Sequence, residues 1–136
     1  MLEDKKGLTL QAAKGMAEAA EKHAAAHGWK MVIAIVDDGA NLLYLERMDG
    51  GLIGSVEIAQ HKARTAVLFQ SPSKGFEQGL AANQLSLLKI DVLPFEGGLP
   101  VVVGGKVIGA IGVSGATPPE DGQAAQAGLT WLEKST

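Results

Sequence analysis

Residues 101–115 read Val-Val-Val-Gly-Gly-Lys-Val-Ile-Gly-Ala-Ile-Gly-Val-Ser-Gly (VVVGGKVIGAIGVSG). Two apolar runs meet at Gly104-Gly105. A glycine pair between β-rich runs is a hairpin signal, because type I′ and II′ turns need positive φ, which glycine adopts without strain. The stretch is too short to cross a membrane as a helix and too rich in glycine to be a good one. It therefore predicts a hairpin at the buried centre of a sheet.

The rest of the chain is placed around that hairpin. Thr9 is the expected N-cap of a helix over Leu10 to His27, with Leu10, Ala13, Ala17, Ala20 and Ala24 as its apolar stripe and Gly28 as its stop. The run Lys30 to Val36, the turn residues Asp37 to Asn41 and the run Leu42 to Met48 predict a first hairpin, closed off by Asp49-Gly50-Gly51. Ser55 to Phe69 has helical spacing, with Val56, Ala59, Ala63, Ala66 and Val67 inward and Glu57, His61 and Arg64 on another face. Pro72 ends it. Ser73 to Leu88 predicts short helices broken near Gly79, and Asp91 to Pro100 a loop. Pro118-Pro119 opens a last helix, expected from Glu120 to about Glu133. The order has no βαβ alternation. It predicts a single α+β domain, residues 1–136, with an antiparallel sheet flanked by helices.

Composition limits the chemistry. The formal charge is −3, lysine and arginine are scattered, and aromatic residues make up 4% of the 136 residues, so a nucleic-acid partner is not expected. There is no cysteine, which removes disulfides, thiolate metal sites and thiol nucleophiles and fits a cytoplasmic location. The N-terminus lacks the basic start and apolar run of a secretory signal, and no membrane partner is expected. Glycine-rich motifs also fail as nucleotide sites. Pro100 stands where a phosphate loop needs glycine, and Val107 follows Gly105-Lys106 where serine or threonine is required. Gly112-Val113-Ser114-Gly115 is not a nucleophile elbow.

Three segments together carry a family resemblance. They are Val36-Asp37-Asp38-Gly39 through Leu42 to Arg47-Met48-Asp49-Gly50; Lys62-Ala63-Arg64-Thr65-Ala66; and Gly97-Gly98-Leu99-Pro100 through Gly105 to Gly115, with Asp121 beyond. This pattern resembles the GlcG/HbpS family of haem-degrading or haem-binding domains. It is also similar to the C-terminal domain of PduO-type cobalamin adenosyltransferases. The likeness spans Leu8 to Leu132. It implies a profilin- or PAS-like α/β domain, homo-oligomers, and in some members a haem or iron ligand.

The residues offer several sites, each with a plainer alternative. Arg47 and Asp49 flank the end of the first hairpin. Arg47 suits a carboxylate clamp, and the alternative is local turn bonding. Lys62 is an anion ligand or a base of lowered pKa, against a stem that snorkels to solvent. Glu57 and His61, four apart, form an acid–base pair or a solvated pair. His23 and His27 share the same spacing, which holds a metal or presents an axial haem ligand, against two boundary residues. Glu96 is an acid or base beside Gly97 and Gly98, whose amides suit an anion, against a plain loop. Asp121 is most simply a first-turn helix acid.

Two functions follow. One is a homo-oligomeric binding protein for a small ligand, haem or a related carboxylate-bearing molecule, with Arg47, Asp49, Lys62, Gly97 and Gly98 at the ligand and His23 and His27 as metal ligands. The other is a hydrolase, deaminase or tautomerase on an organic acid of a catabolic pathway, with Glu96, Lys62, Glu57 and His61 as catalytic residues. A plain assembly accessory is a third reading.

Overall fold

The computed structural model describes residues 1–136. Helix α1 spans Leu10–Ala26, strands β1 and β2 span Val32–Asp37 and Leu42–Arg47, and helix α2 spans Ser55–Leu68. Helix α3 (Lys74–Ala81) and a short 3-10 turn (Leu85–Lys89) lead to strands β3 (Gly98–Val103) and β4 (Lys106–Ser114) and to helix α4 (Pro118–Ser135). The four strands form one antiparallel sheet in the order β2-β1-β4-β3. The architecture is α+β, with two hairpins joined through their inner strands. The glycine-paired hairpin therefore supplies one central strand, β4, and one edge strand, β3. Gly104 and Gly105 both have positive φ in the turn between them.

Both faces of β1 and β4 are covered, which is why their sequences are apolar without a break. Ile33, Ile35, Ile111 and Val113 point to one face and pack under α1 and α4 with Ala13, Met16, Ala17 and Ala20. Val36 and Ala110 point to the other and meet Ala63, Ala66 and Val67 of α2, while Val32 and Ala34 meet Ala59. Small residues set the spacing there. A Cβ on Gly112 would collide with the Ala59 carbonyl, and one on Gly98 with that of Lys62. Each glycine lets the α2 backbone lie directly on the sheet.

Local signals account for the helix ends. The Thr9 hydroxyl accepts from the Ala12 N–H at 3.1 Å. Thr117 and Glu120 form a reciprocal capping box with Pro118 in the first turn, so α4 begins two residues earlier than the expected Glu120. Other differences have equally local causes. Leu10, expected in the apolar stripe, is exposed at the first residue of α1. Val56 is only partly buried, whereas Lys62 and Thr65 join the inner face of α2. Helix α3 runs through Gly79 and breaks at Ala82. Gly79 is buried, and the space a side chain would take is filled by Leu87 and Gln84 of the following turn. β3 starts at Gly98, inside the segment expected to be loop. No helix is long and apolar enough to cross a membrane.

Candidate functional site

Lys62 is buried, 2% exposed, rather than snorkelling to solvent. Its side chain runs from α2 past Gly97 to the first turn of α4. There Nζ donates to Asp121 Oδ2 at 2.9 Å and to the Val113 carbonyl at 3.0 Å. Asp121 is equally buried and is not a simple first-turn acid; its Oδ1 accepts from the Ala116 N–H at 2.9 Å. Burial pushes its carboxyl above the usual carboxylate range, while Lys62 and then the Ala116 N–H pull it down. The pair ties helices on opposite faces of the sheet across the ends of β3 and β4. With two of its three hydrogens committed and its side chain buried, the Lys62 ammonium is closed to a ligand arriving from solvent.

The adjoining loop is also bonded internally. Ser73 Oγ donates to the Phe95 carbonyl at 2.6 Å and accepts from the Gly98 N–H at 2.8 Å. The Ser73 N–H donates to the Gly98 carbonyl, and the Val113 N–H to that of Gly97. The Gly98 amide is thus committed to Ser73 and is not open to an anion. Glu96 lies across α4, its carboxylate in the space a Gly122 side chain would take, and its N–H donates to Glu77 at 3.1 Å.

Glu57 does not orient the His61 ring, which corrects the expected i,i+4 pair. His61 Nε2 instead bonds Asp91 Oδ1 at 3.0 Å, across 30 residues of sequence. Thr65 Oγ1 donates back to the His61 carbonyl and accepts from the Leu93 N–H at 2.9 Å, so α2 holds the segment after α3 at two points.

The end of the first hairpin is open. Arg47 is exposed at the last position of β2, opposite Val32, and its guanidinium has no carboxylate partner. Arg47 shares the face of Val32 and Leu45, toward α2. On the α1 side of the same hairpin end, Glu21, Ala25, Gly28, Trp29, Lys30, Met48 and Asp49 line a cavity of about 380 Å³, so Arg47, expected at the ligand, is not part of it. Met48 is held against the sheet, its sulfur 3.5 Å from the Met31 N–H. Glu46, one residue before Arg47, sits near Glu21 and Glu18. Burial, then the hydrogen bond with Glu21 and the two neighbouring charges, pushes its carboxyl up to about 8.

His23 and His27 come together at the C-terminal end of α1. Their ring centres are 4.5 Å apart, and Trp29 stacks on His27 at the same distance. No group of three or more histidine, cysteine, aspartate or glutamate side chains is arranged to hold a metal ion. Trp29 and Lys30 were not among the expected site residues; the one available signal was their place directly after the helix stop at Gly28.

Comparison with known proteins agrees with the fold. The model of the family described as "Haem degrading protein HbpS-like" matches residues 8–130. The chain is 40% identical over 108 residues to protein GlcG of Escherichia coli K12, covering 79% of this chain and 81% of that protein. A double mutant of Streptomyces reticuli HbpS superposes with a TM-score of 0.87 at 36% identity, over 95% of this chain and 89% of that one. The crystal structure of a PduOC:heme complex gives 0.85 at 26% identity, over 93% and 95%. The chain belongs to the HbpS-like family.

Proposed function

We propose that this member of the HbpS-like family binds a small ligand, haem or a related planar molecule bearing carboxylates, and that it does so as a homo-oligomer. The observation that carries the reading is the cavity at the end of the first hairpin. Trp29, Ala25 and Met48 supply apolar wall for a flat ring system, and Lys30 supplies a cation for a carboxylate. Glu21 and Asp49 also line the cavity and repel acids, which leaves Lys30 as the group that meets a carboxylate. These residues fit such a ligand. Haem would bring a redox-active iron; the chain's own part is to bind the ring and orient its acids.

A cavity of about 380 Å³ is at the small end of ligand sites, which run to ~1,000 Å³. It covers one part of a haem-sized molecule, and a second protomer is the proposed source of the rest. Leu52 and Ile53, in the loop that follows Asp49, are 69% and 79% exposed and offer an apolar surface to that protomer. The likeness to the PduOC:heme complex supports the choice of haem. The alternative, an enzyme using Glu96, Lys62, Glu57 and His61, has less support: Lys62 is held by Asp121, and Glu57 does not pair with His61.

The test is a haem titration followed at the Soret band, with sedimentation of the same samples. The reading predicts a saturable shift at micromolar haem that weakens tenfold or more in Trp29→Ala and in Lys30→Ala. Absence of a saturable shift, or equal binding by these variants, refutes it. A monomer at all concentrations refutes the oligomer.

A further inference from the structure

The two histidines of α1 are not used by the proposed ligand cavity, and their geometry has a chemistry of its own. His27 Nδ1 lies 2.8 Å from the His23 carbonyl oxygen. A carbonyl only accepts, so Nδ1 carries the proton and Nε2 keeps its lone pair. An imidazole whose Nδ1–H is fixed by a backbone carbonyl is the arrangement that orients histidine for metal binding through Nε2. His23 Nε2 is the one buried side-chain nitrogen or oxygen in the chain with no hydrogen-bond partner. A buried imidazole nitrogen that no protein donor occupies keeps its lone pair for a metal when the ring's other nitrogen carries the proton.

The spacing is right as well. A metal about 2.0–2.1 Å from an imidazole nitrogen lies about 3.2 Å from the ring centre, so two rings on adjacent coordination positions have centres about 4.5–5.2 Å apart. The His23 and His27 ring centres are 4.5 Å apart. Their i,i+4 placement on one helical face is that of paired zinc-binding histidines. Trp29, stacked on His27 and 5.7 Å from His23, braces both rings.

We infer that His23 and His27 form a two-histidine chelate for a divalent transition-metal ion at the C-terminal end of α1. Water fills its remaining positions, since no third histidine or carboxylate completes a protein cage. All-nitrogen ligation by neutral imidazole selects Cu2+ over Ni2+ and Zn2+, and excludes Mg2+ and Ca2+. The inference does not rest on the haem reading, because the histidines do not line that cavity.

The test uses metal-stripped full-length protein and the metal alone. Calorimetric titration with Cu2+ and with Ni2+ is expected to show one saturable site per chain. Binding falls at least tenfold in His23→Gln and in His27→Gln and is unchanged in His61→Gln, which removes the remaining histidine. The electron paramagnetic resonance of the Cu2+ form is expected to show two imidazole nitrogens in the parent and one in each α1 variant. Circular dichroism without metal checks that all variants fold; a variant that does not is replaced by the alanine form at the same position. Equal binding by either α1 variant, or loss of binding in His61→Gln, overturns the inference. Haem titration of the His23→Gln/His27→Gln variant separates the two proposals: unchanged haem binding leaves the cavity reading intact whatever the metal does.

Discussion

Removing the Lys62 ammonium while keeping the length of its stem, as in Lys62→Met, isolates the charge that holds Asp121. In the folded chain Asp121 is 2% exposed and has two partners, Lys62 and the Ala116 N–H. Losing one partner of a buried pair leaves an uncompensated charge and costs about 3–5 kcal/mol. For a chain of this size one kcal/mol shifts the midpoint by roughly 3–5 °C, so a loss of roughly 10–20 °C is expected. The loss should depend on pH with a definite sign. Burial already raises the Asp121 carboxyl, and Lys62 is the largest opposing influence. Without Lys62 the folded-state pKa rises further above the unfolded value of 3.8. The native state then holds the proton more tightly than the unfolded chain, so stability falls as pH rises through that window. Urea unfolding of the parent and Lys62→Met should therefore nearly coincide near pH 4 and separate by several kcal/mol at neutral pH. Adding Asp121→Asn to Lys62→Met should recover a large part of the neutral-pH loss, because the double change removes both charges. A cost below 1 kcal/mol at neutral pH, or a cost independent of pH, refutes the assignment of this pair as the tie between α2 and α4.

Three further outcomes are expected. Gly112→Ala places a methyl group against the Ala59 carbonyl and should cost at least 1–3 kcal/mol, roughly the overpacking range, read as a lowered urea midpoint. Ser73→Ala frees the Gly98 N–H and the link to Phe95; a loss of about 1–3 kcal/mol is expected, with faster amide exchange at Gly98 than elsewhere in β3. Glu46, with its carboxyl pushed up to about 8 against an unfolded value of 4.5, stabilises the fold at acid pH and loses that contribution as pH rises through about 8. Thermal midpoints measured from pH 5 to 9 should fall for the parent and fall less steeply for Glu46→Gln; parallel curves refute the shared proton with Glu21.

The sites divide by the range of the forces that make them. The expected acid–base pair of Glu57 and His61 relied on helical spacing, a local rule that correctly put both on α2. It missed Asp91, thirty residues on, because a solvated neighbour at i−4 competes with any partner the next loop brings. Arg47 and Asp49 were both expected at the ligand from their place at a strand end beside turn residues, but strand alternation turns Arg47 toward α2, and of the two only Asp49 lines the cavity. The rest of that cavity was not legible, since Trp29 and Lys30 come from the segment between the stop of α1 and the start of β1.

What the sequence determined by itself is what depends on a few neighbouring residues: Thr9 and the Pro118-Pro119 pair at helix starts, Gly104-Gly105 in the tight turn, and the unbroken apolar runs that must be covered on both faces. What only the tertiary structure decided is the partnering of groups far apart in the chain. Lys62 and Asp121 are 59 residues apart, and each alone reads as an ordinary surface charge. They pair because the glycines at 97, 98 and 112 bring α2 down onto the sheet, which aims the lysine stem at the first turn of α4. A buried charge is tolerable only where its counter-charge is delivered to within hydrogen-bond distance, and that delivery is a property of the packed layers, not of any local segment.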